Sequence, residues 1–131
     1  MPTNSAVINN LVGSVITTAN THPRASEIIF VLDGELDVGF ITTANKLISK
    51  SIKKGDIFVF PEGLVHYQKK NGVKPASVIA GFNSQFPGTQ SIATTLFTST
   101  PLVPDHVLTK GYQIGTKGVK KMRNKLAPKK T

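Results

Sequence analysis

The chain has 131 residues, 39% apolar and 18% charged, with 11 Gly and 8 Pro. That is enough for one hydrophobic core, and it is unlike a disordered, collagenous or membrane composition. No cysteine is present, which excludes a disulfide scaffold and any thiolate-bound metal. Sixteen Lys and Arg against seven Asp and Glu leave a net charge of +9, which makes a polyanion the first partner to weigh.

The charge is segregated. Residues 1–100 carry eight basic and six acidic side chains, whereas residues 101–131 carry eight basic and one acidic. Within that tail Val119, Met122 and Leu126 step by three and four, the spacing of one apolar helical stripe with lysines on the solvated side. A polyanion-binding helix is the competing reading. No aromatic residues alternate with the lysines to stack on bases, and no nucleic-acid motif occurs elsewhere, so nucleic acid is not expected.

In chain order, Leu11-Val12-Gly13-Ser14-Val15-Ile16 is the first apolar run, too short for an export signal and without a basic start. No stretch approaches the roughly 18 apolar residues that a helical membrane span needs. Glu27 to Leu32, the turn Asp33-Gly34, and the alternating Leu36, Val38 and Phe40 predict a β-hairpin. Leu47 to Ile52 alternates weakly, Lys54-Gly55-Asp56 turns the chain, and Ile57 to Phe60 is a short strand stopped by Pro61. Leu64 to Gln68 and Ala76 to Phe82 are further strands around a polar loop at Lys69 to Pro75. Thr89 to Thr98 fits a strand or a short helix, Pro104 suits a helix start, and Gly115 divides the remainder into two helices. Short strands at close spacing followed by helices predict an antiparallel sandwich or barrel with a helical appendage. Phe30, Phe40, Phe58, Phe60 and Phe82 are assigned to the core.

Of the three histidines, two adjoin turn-to-strand junctions. His22 precedes Glu27 by five residues, and His66 follows shortly after Pro61-Glu62-Gly63. Two imidazoles and a carboxylate form a mixed nitrogen and oxygen donor set that suits iron(II) or manganese(II) with positions left open. On spacing alone, a pair of unrelated surface histidines is the competing reading. His106 is expected to be solvated at a helix start, Lys54-Gly55-Asp56 to act as a turn rather than an adhesion tripeptide, and Arg24 and Glu62 to lie on the surface or at a barrel mouth.

The string Thr21-His22-Pro23-Arg24-Ala25-Ser26-Glu27, followed after six residues by Gly34, resembles the first cupin box of plant germins and germin-like proteins. Gly55, Pro61, Gly63 and His66 match the spacing of the second box. The resemblance continues through Asn83-Ser84-Gln85-Phe86-Pro87-Gly88 to Leu108-Thr109-Lys110 and Ala127-Pro128-Lys129-Lys130, and so covers residues 20 to 131. It implies an all-β cupin jelly-roll barrel with C-terminal α-helices, holding Mn2+ or another divalent ion through His22, Glu27 and His66. Germins place a further histidine where this chain has Asn20, a weaker neutral donor. Their N-terminal segment, with an export signal, a cysteine pair and the first strands, has no counterpart in the sequence, so a shortened barrel is expected.

The expected organisation is a divergent segment at 1–19, a cupin barrel at 20–100 and a basic helical segment at 101–131. By the resemblance, the protein is expected in the cell wall or apoplast as a trimer or hexamer. Superoxide dismutase or oxalate oxidase activity is expected to be weakened by Asn20. The alternatives are a non-catalytic structural, storage or oligomer-forming cupin, and a binder of cell-wall polyanions through the basic tail.

Overall fold

The computed structural model describes residues 5–11 and 16–128. The chain forms two compact units, Met1–Gln90 and Ser91–Thr131. In the first unit the strands are β1 (Ser5–Leu11), β2 (Ile16–Thr21), β3 (Glu27–Asp33), β4 (Glu35–Ile41), β5 (Leu47–Lys53), β6 (Ile57–Phe60), β7 (His66–Asn71) and β8 (Ala76–Phe82). A two-residue strand, β9 (Gln90–Ser91), lies at its boundary. The strands build one sheet in the order β1-β8-β3-β6 and another in the order β5-β4-β7-β2-β9. The fold is the expected all-β architecture followed by helices.

Period-two alternation decides which side chains face the other sheet. In β3, Ile29 and Val31 are fully buried while Ile28 and Phe30 face outward. Leu36 and Val38 of β4, Ile52 of β5, Phe60 of β6 and Ala76, Val78 and Ala80 of β8 complete the core. Phe40, Phe58 and Phe82 pack against it half-buried, as expected. Phe30 does not: at 42% exposed, it lies on the outer face, because Ile29 and Val31 take the inward positions on either side.

The hairpin between β3 and β4 turns at Gly34, whose φ of +82° is open to glycine and strained for other residues. The same glycine lies against Ala76, where an added Cβ would come within 2.7 Å of backbone. β7 extends to Asn71, beyond its predicted end at Gln68, and places Lys70 inside. The Lys70 ammonium is satisfied by the carbonyls of Gly72 at 2.7 Å and Lys74 at 3.2 Å. A lysine is tolerated there because its buried charge is hydrogen-bonded.

The region expected to be divergent, residues 1–19, supplies β1 and most of β2; Val12 to Val15 of the apolar run lie outside the described residues. In the second unit, the ambiguous stretch is helical as α1 (Ile92–Thr98), followed by α2 (Asp105–Tyr112) and α3 (Thr116–Leu126). Pro104 and Gly115 stand at the N-caps of α2 and α3, as the sequence predicts. Phe97, Leu108 and Val119 form this unit's core, with Met122 and Leu126 packed against it. Lys117, Lys120, Lys121 and Lys125 occupy the exposed side of α3. Arg123 is turned inward, pairing with Asp105 and the carbonyl of Val103. Among the described residues, no helix is long and apolar enough to cross a membrane.

Candidate metal centre

His22, Glu27 and His66 converge inside the first unit. Each offers one ligand atom, all within 4.8 Å of one another, and all three residues are buried. Glu27 opens β3 and points inward with Ile29 and Val31, while His66 opens β7. His22 is the first residue after β2 and is brought close by the loop that returns to β3. The 39 residues separating Glu27 from His66 in sequence are closed by the sheet pairing: β7 runs beside β2, whose Asn20 stands directly across from His66.

Backbone carbonyls orient both imidazoles. His22 Nδ1 lies 2.7 Å from the Gly88 carbonyl, and His66 Nδ1 lies 3.1 Å from the Leu64 carbonyl. A carbonyl only accepts, so in each ring Nδ1 carries the hydrogen and Nε2 is turned inward. There the Nε2 atoms meet one carboxylate oxygen, Glu27 Oε2, at 2.8 Å from His22 and 3.5 Å from His66. Aromatic rings wall the site: Phe60 stacks on His66 at 4.5 Å, and Phe82 meets His22 edge-on at 4.9 Å.

Two inward Nε2 atoms beside a carboxylate call for a positive charge. The hydrogen bond to Glu27 favours a proton on His22, holding it above the usual imidazole value against burial, with help from the Gly88 carbonyl and the Glu27 charge. Burial pushes His66 the other way, despite the Leu64 carbonyl and Glu27, and His22 adds to that lowering. A divalent ion fits the same place. Two imidazole nitrogens and a carboxylate oxygen are an accepted donor set, and the carbonyl bonds to Nδ1 are the supporting interactions that orient metal-binding imidazoles.

The structure thus brings together the three candidate ligands and sets half-buried Asn20 beside them. Arg24 is exposed, and its Nε donates to the Phe86 carbonyl at 2.8 Å. Glu62 is exposed, with its backbone N–H bonded to Ser26 Oγ. His106 is exposed on α2. The sequence reading missed the two carbonyl tethers and the aromatic walls. Leu64 sits two residues before His66 and is a local signal, whereas Gly88 is 66 residues from His22 and carries none.

The family model for cupins matches residues 3–120. Germin-like protein subfamily 2 member 4 of Arabidopsis thaliana is 58% identical over 154 positions, covering 95% of this chain and 70% of the relative. The rhicadhesin receptor of Pisum sativum is 68% identical over 111 residues, covering 85% of this chain and 51% of the relative. Germin-like protein 5-1 of Oryza sativa is 66% identical over 111 residues, covering 85% and 50%. The chain therefore spans from about half to 70% of these relatives' lengths. A solved oxalate oxidase in complex with the substrate analogue glycolate superposes with a TM-score of 0.92 at 35% identity, over 97% of this chain and 65% of that one. The 111-residue matches use the chain residue for residue, whereas the 154-position match uses only 95% of 131 residues, so about 30 of its positions have no counterpart here. With the cupin match over most of its length and these relatives at 58–68% identity, the chain belongs to the germin-like proteins of the cupin family.

Proposed function

We propose that this protein is a metal-binding germin-like cupin of the plant cell wall or apoplast. In this reading His22, Glu27 and His66 hold a divalent ion, Mn2+ by family resemblance. The observation that carries it is the convergence of two carbonyl-tethered imidazoles on one buried carboxylate. The activity proposed is of the superoxide dismutase or oxalate oxidase type; the solved oxalate oxidase shares the fold at 35% identity. A bound redox-active ion supplies the one-electron chemistry. Glu27 offsets its charge, the carbonyls of Gly88 and Leu64 keep both Nε2 atoms inward, and Phe60 and Phe82 limit water around the rings.

The reading is tested by manganese electron resonance on protein reloaded with Mn2+, together with superoxide and oxalate assays. Stoichiometric Mn2+ and turnover, both lost in His66→Ala, support it. Absence of any bound ion removes it.

The alternative is a non-catalytic, self-associating cupin, favoured by the outer face of the β1-β8-β3-β6 sheet. There Ile28, Phe30, Ile57, Val59 and Ile79 are each 36–57% exposed. They lie next to one another in register, Phe30 opposite both Ile57 and Ile79, and Ile28 opposite Val59. An uninterrupted apolar patch of this kind marks an association surface. Bound metal without turnover, in a protein that elutes as an oligomer, favours this second reading.

A further inference from the structure

Asn20, which stands where the germin box carries a histidine, adjoins the candidate metal centre. The stretch that resembles the germin boxes runs unbroken through Thr21, His22, Glu27 and His66, and the cupin match begins as early as residue 3. β1 and β2 precede His22 in the chain, and the fold seats them beside β8 and β7. Within β2, Asn20 pairs directly with His66.

Directly paired residues of neighbouring antiparallel strands project to the same face, with Cβ atoms about 4.5–5.5 Å apart. His66 projects inward to Glu27, so Asn20 faces the same interior, and it is half-buried there. A carboxamide is uncharged and shorter than an imidazole. From the same Cβ, its oxygen reaches less far toward Glu27 than an imidazole Nε2 would.

We propose that Asn20 is the residue that sets the ion preference of this centre: among the described residues it leaves two imidazoles and one carboxylate as the charged and imidazole donors, with an open position on the β2 side, and so disfavours manganese(II) relative to zinc(II) and cobalt(II). Manganese(II) lies at the weak end of the divalent series and depends most on donor number, whereas zinc accepts two histidines, one carboxylate and a water in a four-coordinate site. The inference rests on the metal-binding reading above but departs from it on the ion: zinc has no redox chemistry, so the one-electron activity proposed there would require the protein to be loaded with Mn2+.

The test uses the full chain stripped of metal, then titrated separately with Mn2+, Zn2+ and Co2+. Wild-type protein is expected to give the intense visible bands of four-coordinate Co2+. Asn20→His is expected to raise Mn2+ affinity at least tenfold, consistent with the roughly 10- to 100-fold weight of even a ligand's supporting partner. It should also weaken the cobalt bands as coordination number rises. Asn20→Ala should leave Mn2+ affinity within about threefold of wild type on the same scale. The proposal is overturned if Asn20→Ala loses Mn2+ tenfold, since Asn20 is then a ligand. It is likewise overturned if Asn20→His leaves Mn2+ affinity unchanged, or if wild-type Co2+ shows only weak, six-coordinate bands. The cobalt spectrum of the wild type decides the matter even if a variant fails to fold. If no ion binds the wild type, or if binding survives His66→Ala, the underlying reading of the centre fails instead.

Discussion

His22 Nε2 lies 2.8 Å from Glu27 Oε2, while the other nitrogen of the same ring is held by the Gly88 carbonyl. One imidazole–carboxylate pair thus sets both the orientation and the charge balance of the centre. Glu27 is the shared element, since His66 approaches the same oxygen at 3.5 Å.

Glu27→Gln keeps the shape of this side chain and removes its charge. Divalent-ion affinity is expected to fall by at least about tenfold. In the metal-free protein the His22 pKa, followed by NMR, should drop toward the ordinary value of 6.5, because the hydrogen bond to Glu27 is the largest cause raising it. An unchanged His22 titration would show that the pair does not form in solution.

The two histidines give the metal-free protein opposite pH dependences. His22 is raised, so its stabilising contribution is complete below pH 6.5 and is lost as pH rises through its folded value. His66 is lowered, so its contribution is complete above pH 6.5 and is lost as pH falls through its folded value. Denaturant midpoints measured across pH should therefore peak near 6.5 and decline on both sides, with the alkaline decline absent in His22→Ala. A metal ion must displace the His22 proton, so ion affinity should rise with pH through that group's raised value.

Gly34 and Gly55 both adopt positive φ, +82° and +91°, but only Gly34 lies against another segment. Gly55→Ala should cost about 1–2 kcal/mol, the ordinary penalty of a left-handed alanine. Gly34→Ala adds an overlap at 2.7 Å with Ala76, so chemical denaturation should find it the more destabilised of the two.

Phe60 and Phe30 test the inward–outward alternation. Phe60 is 1% exposed and stacked on His66, and Phe60→Ala should cost about 3–5 kcal/mol and loosen the centre. Phe30→Lys should change stability far less. It should instead lower the apparent mass in light scattering if the outer apolar face mediates self-association.

Much of the fold was legible because local patterns carry it. The boundaries of Ile57–Phe60 and Ala76–Phe82 are those the sequence predicts, and Pro104 and Gly115 mark the helix starts. Phe30 departs from the core expected of strand-spaced phenylalanines because spacing marks which residues share a face, while the inward or outward sense of that face is a property of its neighbours. β1 and β2 were not legible, since Ser5–Leu11 and Ile16–Thr21 mix polar and apolar residues without a clear period and gain their strand form from pairing with β8 and β7.

For the centre, the sequence by itself determined the candidate donors: His22, Glu27 and His66 lie at the spacings of the cupin boxes they resemble, with Asn20 two residues ahead of His22. Tertiary structure alone decided what those donors can do. Gly88 reaches His22, and Asn20 comes to face His66, only when distant segments are registered against one another. Spacing along a chain can name candidate ligands, but their orientation and charge depend on contacts that only closing the sheets creates.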